Sequence, residues 1–467
     1  MKYKILFISL IALLMAISAV SASENDTLIV DEGTYHSFSE LDEIINNDSV
    51  SEITLENNYK YDDHSIMLER NNSCSINGNG HVIDGITDSE FSISCGSNAV
   101  TINNLTFQNC NNSTFAIGSP VVFNNVKFIN CSDVSKISFF SLSDNVKFNN
   151  CVFEMKEGNY NIIAVSSNNL SVNNTVFNGK GLISSVIKGD HNVRILVENT
   201  VIANFTAPFA AAINTKGDVL TVRKSKFLNL HADSSAGAIL GKFYALKSDE
   251  GELLTPDPFV IEDCEFTNVT SNVDAGAIYF DLDSCAEGVT QYINVFNCSF
   301  TDCASRFGGA IALIGGCLNI TDSTFKNNSA AFSGGAIYSS WASVNISNSN
   351  FTNNNAKVHG AALYTDKGKL TISASNIINN QVTAVYAEDS ELNFADSNFD
   401  NVGVSVYGNF ITKYNLQNVQ KNADTFSLDN KYYLYYVENE GFRWCSLKIP
   451  LIWLFYHLNL MEGISIG

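Results

Sequence analysis

Asp322-Ser323-Thr324-Phe325-Lys326-Asn327-Asn328, followed by Gly334-Gly335-Ala336-Ile337-Tyr338, decides the fold, because the chain keeps returning to both phrases. The first recurs as Asn104-Leu105-Thr106-Phe107-Gln108-Asn109, as Asn125-Val126-Lys127-Phe128-Ile129-Asn130 and as Asn348-Ser349-Asn350-Phe351-Thr352-Asn353. Its anchors are Phe107, Phe128, Phe153, Phe177, Phe227, Phe266, Phe300, Phe325, Phe351 and Phe399, with Ile202 and Ile377 in the slot where Phe is missing. Most steps between anchors run from 21 to 26 residues, and two are longer, at 39 and 34. Repetition at that period marks a solenoid.

The local period says which one. Apolar and small residues alternate around each anchor, as in Val344, Ile346, Ser349 and Phe351, which is strand patterning and not a helical stripe. The second phrase returns as Gly308-Gly309-Ala310-Ile311 and Gly360-Ala361-Ala362-Leu363-Tyr364, with weaker copies at Ala236-Gly237-Ala238-Ile239 and Ala275-Gly276-Ala277-Ile278-Tyr279. Paired glycines suit a bend between sheet faces, since glycine reaches conformations that a Cβ forbids. Strand, bend and strand again within about 25 residues predict an all-β chain wound as a parallel β-helix of about twelve coils.

Coils stacked about 4.8 Å apart bring a repeated residue onto its own copies. Phe107, Phe128, Phe300, Phe325 and Phe351 are therefore expected to stack ring on ring. Two residues after the anchor stand Asn109, Asn130, Asn268, Asn327, Asn353 and Asn379, which predicts a buried amide ladder in which each side chain donates to the next carbonyl. The bland alternative makes them solvated glycosylation acceptors, since Asn268-Val269-Thr270 fits the sequon.

Lys2 and Lys4 precede an apolar run over residues 5–17 and then Ser18-Ala19-Val20-Ser21-Ala22, which reads as an export signal cleaved after Ala22. Membrane association is expected only if that segment is retained. Residues 23–73 read as an N-terminal cap, in which Ser37-Phe38-Ser39-Glu40 has capping-box spacing and Leu41, Ile44 and Ile45 share a face. The β-helix domain is placed at 74–410. The tail, 411–467, changes composition after residue 442 and is expected to be a truncated or frame-shifted end, or else a hydrophobic hairpin over the stack. The long steps place insertions after Leu240 and near Asp281, the first with the acidic run Asp249-Glu250-Gly251-Glu252. Cys110 and Cys131, and likewise Cys264 and Cys298, share a coil position, so each pair is a candidate disulfide; alternation with Ser and Thr in these slots argues for free, stacked thiols.

Composition bounds the partners. With 27 basic and 48 acidic residues the formal charge is −21, which excludes a nucleic-acid surface. Only 16% of residues are charged, and asparagine, at 59 of 467, fills the gap. A nucleophile elbow, a Walker A loop, a His-Glu-x-x-His helix and an EF-hand loop are all absent from the sequence, so no catalytic residue, metal ligand or cofactor is assigned.

Phe325-Lys326-Asn327-Asn328 through Gly334-Gly335-Ala336-Ile337 resembles the polymorphic outer membrane protein (Pmp) repeat of surface adhesins. Asn79-Gly80-His81-Val82-Ile83-Asp84-Gly85 is similar to the pectate-lyase-like β-helix regions of archaeal adhesin-like proteins, and the likeness spans roughly residues 71–410. The resemblance implies a right-handed β-helix on an exported, adhesin-like cell-surface protein that is not an enzyme and contacts glycans or surface proteins of other cells. The rival is a polysaccharide lyase or hydrolase of the same fold. That rival requires three carboxylates, or a carboxylate pair with a cation, converging on a groove; the Asp clusters and Gly-His-Gly of pectin-cleaving relatives are missing here.

Overall fold

A computed structural model describes residues 35–132, 138–191, 193–216, 219–242, 257–282, 290–380 and 383–400, together with backbone strands between 403 and 445. The expected signal segment and both insertions (243–256 and 283–289) lie outside the described residues. The chain is an all-β, right-handed parallel β-helix of about 13 turns.

One coil shows how it is built. Thr324–Lys326 and Ser329–Ser333 lie on the first sheet, Ile337–Ser340 on the second and Ser343–Ser347 on the third. Each pairs in parallel with the equivalent strand one coil on, Phe325 opposite Phe351, Ile337 opposite Leu363 and Val344 opposite Leu370. The anchors form one unbroken register from Tyr59 through Ile83 and Phe107 to Phe399, including both long steps, where Phe227 faces Phe266 and Phe266 faces Phe300. Rings along it are near-parallel. Phe300 and Phe325 are 4.8 Å apart at 6°, Phe325 and Phe351 4.6 Å at 1°, and Phe107 and Phe128 5.4 Å at 3°. All five are fully buried, so the expected aromatic column is present.

The two glycines of the bend phrase have different tasks. Gly308, Gly334 and Gly360 have φ of +65°, +70° and +62°, the left-handed region that costs other residues energy. Gly335 is needed for space, since a Cβ there would stand 1.9 Å from the Ala361 carbonyl of the next coil.

The buried amide ladder does not run through the expected asparagines. Asn109, Asn130, Asn268, Asn327, Asn353 and Asn379 all have φ between +52° and +59°. They do not point into the core: Asn109 is half-buried and the others are exposed. Asparagine is used there because it tolerates the left-handed turn better than most side chains. Surface amide bonds do run between coils, from Asn268 to Asn229 at 2.9 Å and from Asn327 to Asp302 at 3.2 Å. The buried ladder is one residue further on, at Asn328, Asn354 and Asn380. Asn328 Nδ2 donates to Asn354 Oδ1 and to the Phe300 carbonyl, and Asn354 Nδ2 to Asn380 Oδ1 and the Phe325 carbonyl, all at 3.0 Å. The left-handed residue breaks strand alternation, so the position after it turns inward.

Cys110, Cys131, Cys264 and Cys298 are buried free thiols, so neither candidate disulfide is formed in the structure. Their sulfurs donate to main-chain carbonyls, as from Cys264 to Glu262 at 3.2 Å and from Cys298 to Phe296 at 3.2 Å. Burial pushes the Cys110 and Cys264 thiols well above the ordinary range.

The ends depart from the expected boundaries. The helix Phe38–Ile45 is capped by Ser37, whose hydroxyl accepts from the Glu40 N–H; it buries Phe38, Leu41 and Ile45 and leaves Ile44 39% exposed. Glu52–Thr54 already pairs with Cys74–Asn77, and Asn58–Lys60 with Val82–Asp84, so winding starts before residue 74. Parallel pairing likewise passes 410, with Leu392 opposite Tyr414. Tyr433–Val437 and Gly441–Cys445 then form an antiparallel pair. No helix of the described residues is long and apolar enough to cross a membrane.

Phe325→Ala should cost about 3–5 kcal/mol in denaturant unfolding, because the stacked rings above and below cannot close the gap. Asn354→Ala should cost about 2 kcal/mol or more, since it orphans buried donors and acceptors on two coils. Asn353→Gly, one residue earlier, should stay within about 1 kcal/mol because glycine keeps the turn.

Candidate functional site

A solenoid surface made of ladders has already used much of its hydrogen-bonding capacity. On the third sheet Asn345 donates to Asn319 and Asn319 to Asn294, each at 2.9 Å. The wall where the first sheet bends into the second is different, because it carries residues that do not repeat. Phe209, Phe332 and Val358 are 49%, 43% and 49% exposed there, and Arg306 is exposed among them.

Beside Phe332 lies an open cleft of about 440 Å³ whose walls include His231, Thr270, Asn272 and Arg306. Strand register builds it: His231 faces Thr270 and Thr270 faces Ala304, and the alanine leaves room. The His231 ring nitrogen Nδ1 and the Thr270 hydroxyl are 2.8 Å apart, and Nε2 is 3.6 Å from Asp233. The Arg306 guanidinium lies 4.7 Å from the centre of the Phe332 ring and 5.2 Å from that of Phe307. Cations sit favourably against the negative face of a ring.

A tyrosine stack continues the wall onto the second sheet. Tyr338 and Tyr364 are 5.1 Å apart at 2°, Tyr364 and Tyr386 5.6 Å apart at 6°, and His359 lies 4.1 Å from Tyr386. Ring faces in this stack are covered by one another, so edges and hydroxyls are what it offers to a ligand. Tyr364 donates to Glu388 at 2.8 Å, and burial followed by that carboxylate pushes its pKa up.

Asp274 lies at the bend and accepts a hydrogen bond from Ser235 at 3.2 Å. Burial raises its pKa above the ordinary carboxylate value; the Ser235 bond and Arg306 pull it back, and Asp281 pushes it further up. Asp281 is itself ion-paired with Lys242 at 3.4 Å. No cluster of three His, Cys, Asp or Glu residues able to hold a metal occurs among the described residues.

The residues read from the sequence as ladders therefore serve the stack and not this wall. Sequence periodicity does not reveal the cleft, because Arg306 and Phe332 each occur once and a repeat reports only what recurs. The buried Asn328, Asn354 and Asn380 did leave a signal in the doublets Asn327-Asn328, Asn353-Asn354 and Asn379-Asn380.

No family model matches the sequence, and no curated protein matches it. Among solved structures, tailspike protein 3 of bacteriophage CBA120 is similar, with a TM-score of 0.29 and 12% identity over 85% of this chain. The match spans 62% of the tailspike chain.

Asp274→Asn should stabilise the fold at neutral pH. The raised folded-state pKa means that ionisation disfavours the native state, a penalty present above the folded value and absent below the unfolded one. Denaturant midpoints of the two proteins should therefore converge as pH falls through the carboxylate range.

Proposed function

We propose that this chain is an exported, adhesin-like surface rod of the Pmp-repeat kind, which presents the bend wall to glycans on other cells. The observation that carries the reading is the group Arg306, Phe332 and Val358, exposed on a wall whose repeat does not need them. A rod of about 13 turns at about 4.8 Å per coil reaches on the order of 60 Å, long enough to hold such a wall away from a surface. Open ring area and hydrogen-bonding groups around a cleft suit a sugar, which has an apolar C–H face and a rim of hydroxyls.

The alternative, a polysaccharide lyase or hydrolase, is favoured by one observation, the part-buried Asp274 at the bend, whose carboxyl pKa is raised above the ordinary value by burial. A carboxyl raised by burial is the kind of group that serves as a general acid.

The full chain, immobilised, should retain cells or glycans from an array, and Phe332→Ala should lower that retention about tenfold, since a truncated anchor costs more than about 1 kcal/mol. Failure of the unmodified chain to retain any glycan or cell would sink the adhesion reading. Release of new reducing ends or unsaturated sugars from a retained glycan, abolished by Asp274→Asn, would replace it with the enzyme.

A further inference from the structure

We propose that the cleft beside Phe332 seats a single carboxylate-bearing sugar within an otherwise neutral glycan, and that Arg306 holds the carboxylate. The inference rests on the glycan-adhesion reading and narrows it to a ligand class.

Arg70, Arg194 and Arg223 each have a carboxylate within ion-pair distance, at Asp48, Asp257 and Glu262. Among the arginines whose side chains are described, Arg306 alone has none. In a chain with 48 acidic and 27 basic residues, an unpaired arginine runs against the odds. Its guanidinium is instead set against Phe307 and Phe332 at the cleft wall. Contact with two rings restrains the side chain before any ligand arrives, which lowers the ordering cost of binding. A planar fork of N–H donors matches a carboxylate through two parallel hydrogen bonds, which a lysine cannot reproduce.

The rest of the cleft suits a sugar better than a peptide. Thr270, the His231 ring and the Asn272 amide line it with hydrogen-bonding groups for hydroxyls, and Phe332 supplies exposed ring. Its volume of about 440 Å³ lies toward the small end of ligand sites, which run from about 300 to 1,000 Å³. Asp233, beside His231, and Asp274, within the field of Arg306, limit the charge a ligand can bring. Each further carboxylate of a polyacid would add repulsion from these groups within the screening length of about 8 Å, with no second arginine in the cleft wall to offset it, whereas a single carboxylate has Arg306 as its partner.

The test titrates the full chain with a neutral oligosaccharide ending in one uronic acid, and with the same oligosaccharide after reduction of its carboxyl group. The acidic form should bind at least about tenfold more tightly. Arg306→Lys should lose about that factor for the acidic form only, Arg194→Lys should change neither, and circular dichroism should be unaltered in both variants. Polyuronate and an acidic peptide should bind more weakly than the singly acidic oligosaccharide. Equal affinity for the acidic and reduced forms, or tighter binding of polyuronate or the peptide, overturns this inference and leaves glycan adhesion standing. Binding of no oligosaccharide or glycan overturns both.

Discussion

Parallel pairing between successive coils makes a residue's nearest neighbours the residues at its own position one turn up and one turn down. Every side chain must therefore be compatible with a column. Phenylalanine meets that condition by stacking, and asparagine by carrying a donor and an acceptor on one amide, so a chain of copies can satisfy itself. Like charges fail it. The ionic residues instead alternate in sign across coils: Arg223 faces Glu262, Lys226 faces Glu265, Lys242 faces Asp281 and Lys369 faces Glu391, and each pair lies within ion-pair distance. Where two acids do stack, at Asp366 and Glu388, hydroxyls attend both, with Ser340 donating to Asp366 and Tyr364 to Glu388.

That constraint explains how much of the fold was legible. The anchor column could be read directly, because Phe325 and its copies sit on regular strand where inward and outward alternate. The sequence pattern points to the wrong asparagines for a definable reason. Simple alternation would continue through Asn327, but its φ of +56° turns the chain, and Asn328 takes the inward place. Backbone conformation of that kind is invisible to a count of apolar positions. The same turn places Cys110, Cys131 and Cys303 in the core three residues after their anchors, where thiol and amide exchange: the Cys303 N–H donates to Asn328 Oδ1 at 3.0 Å.

The bend wall was illegible for a different reason. Periodicity reports what all coils share, while a ligand-facing group needs only one copy. Arg306 occupies a slot that Phe332 and then Val358 fill on later coils, as the backbone bond from the Val358 N–H to the Phe332 carbonyl shows for the second step. Neither column chemistry nor core packing asks for a guanidinium there.

The pattern also separates stability from recognition within each coil. Gly335 lies against the Ala361 backbone and Ile337 is buried, while Phe332, near the end of the strand that enters the bend, is open to solvent. Inward and bend-forming residues are held by contacts with two neighbouring coils, so a change in one disturbs three. Residues at the crest of the bend carry no such burden, and a new side chain there leaves the columns intact. A solenoid can thus vary its wall coil by coil while its interior stays periodic, which is why the exceptions to the repeat, and not the repeat, are where a ligand should be sought.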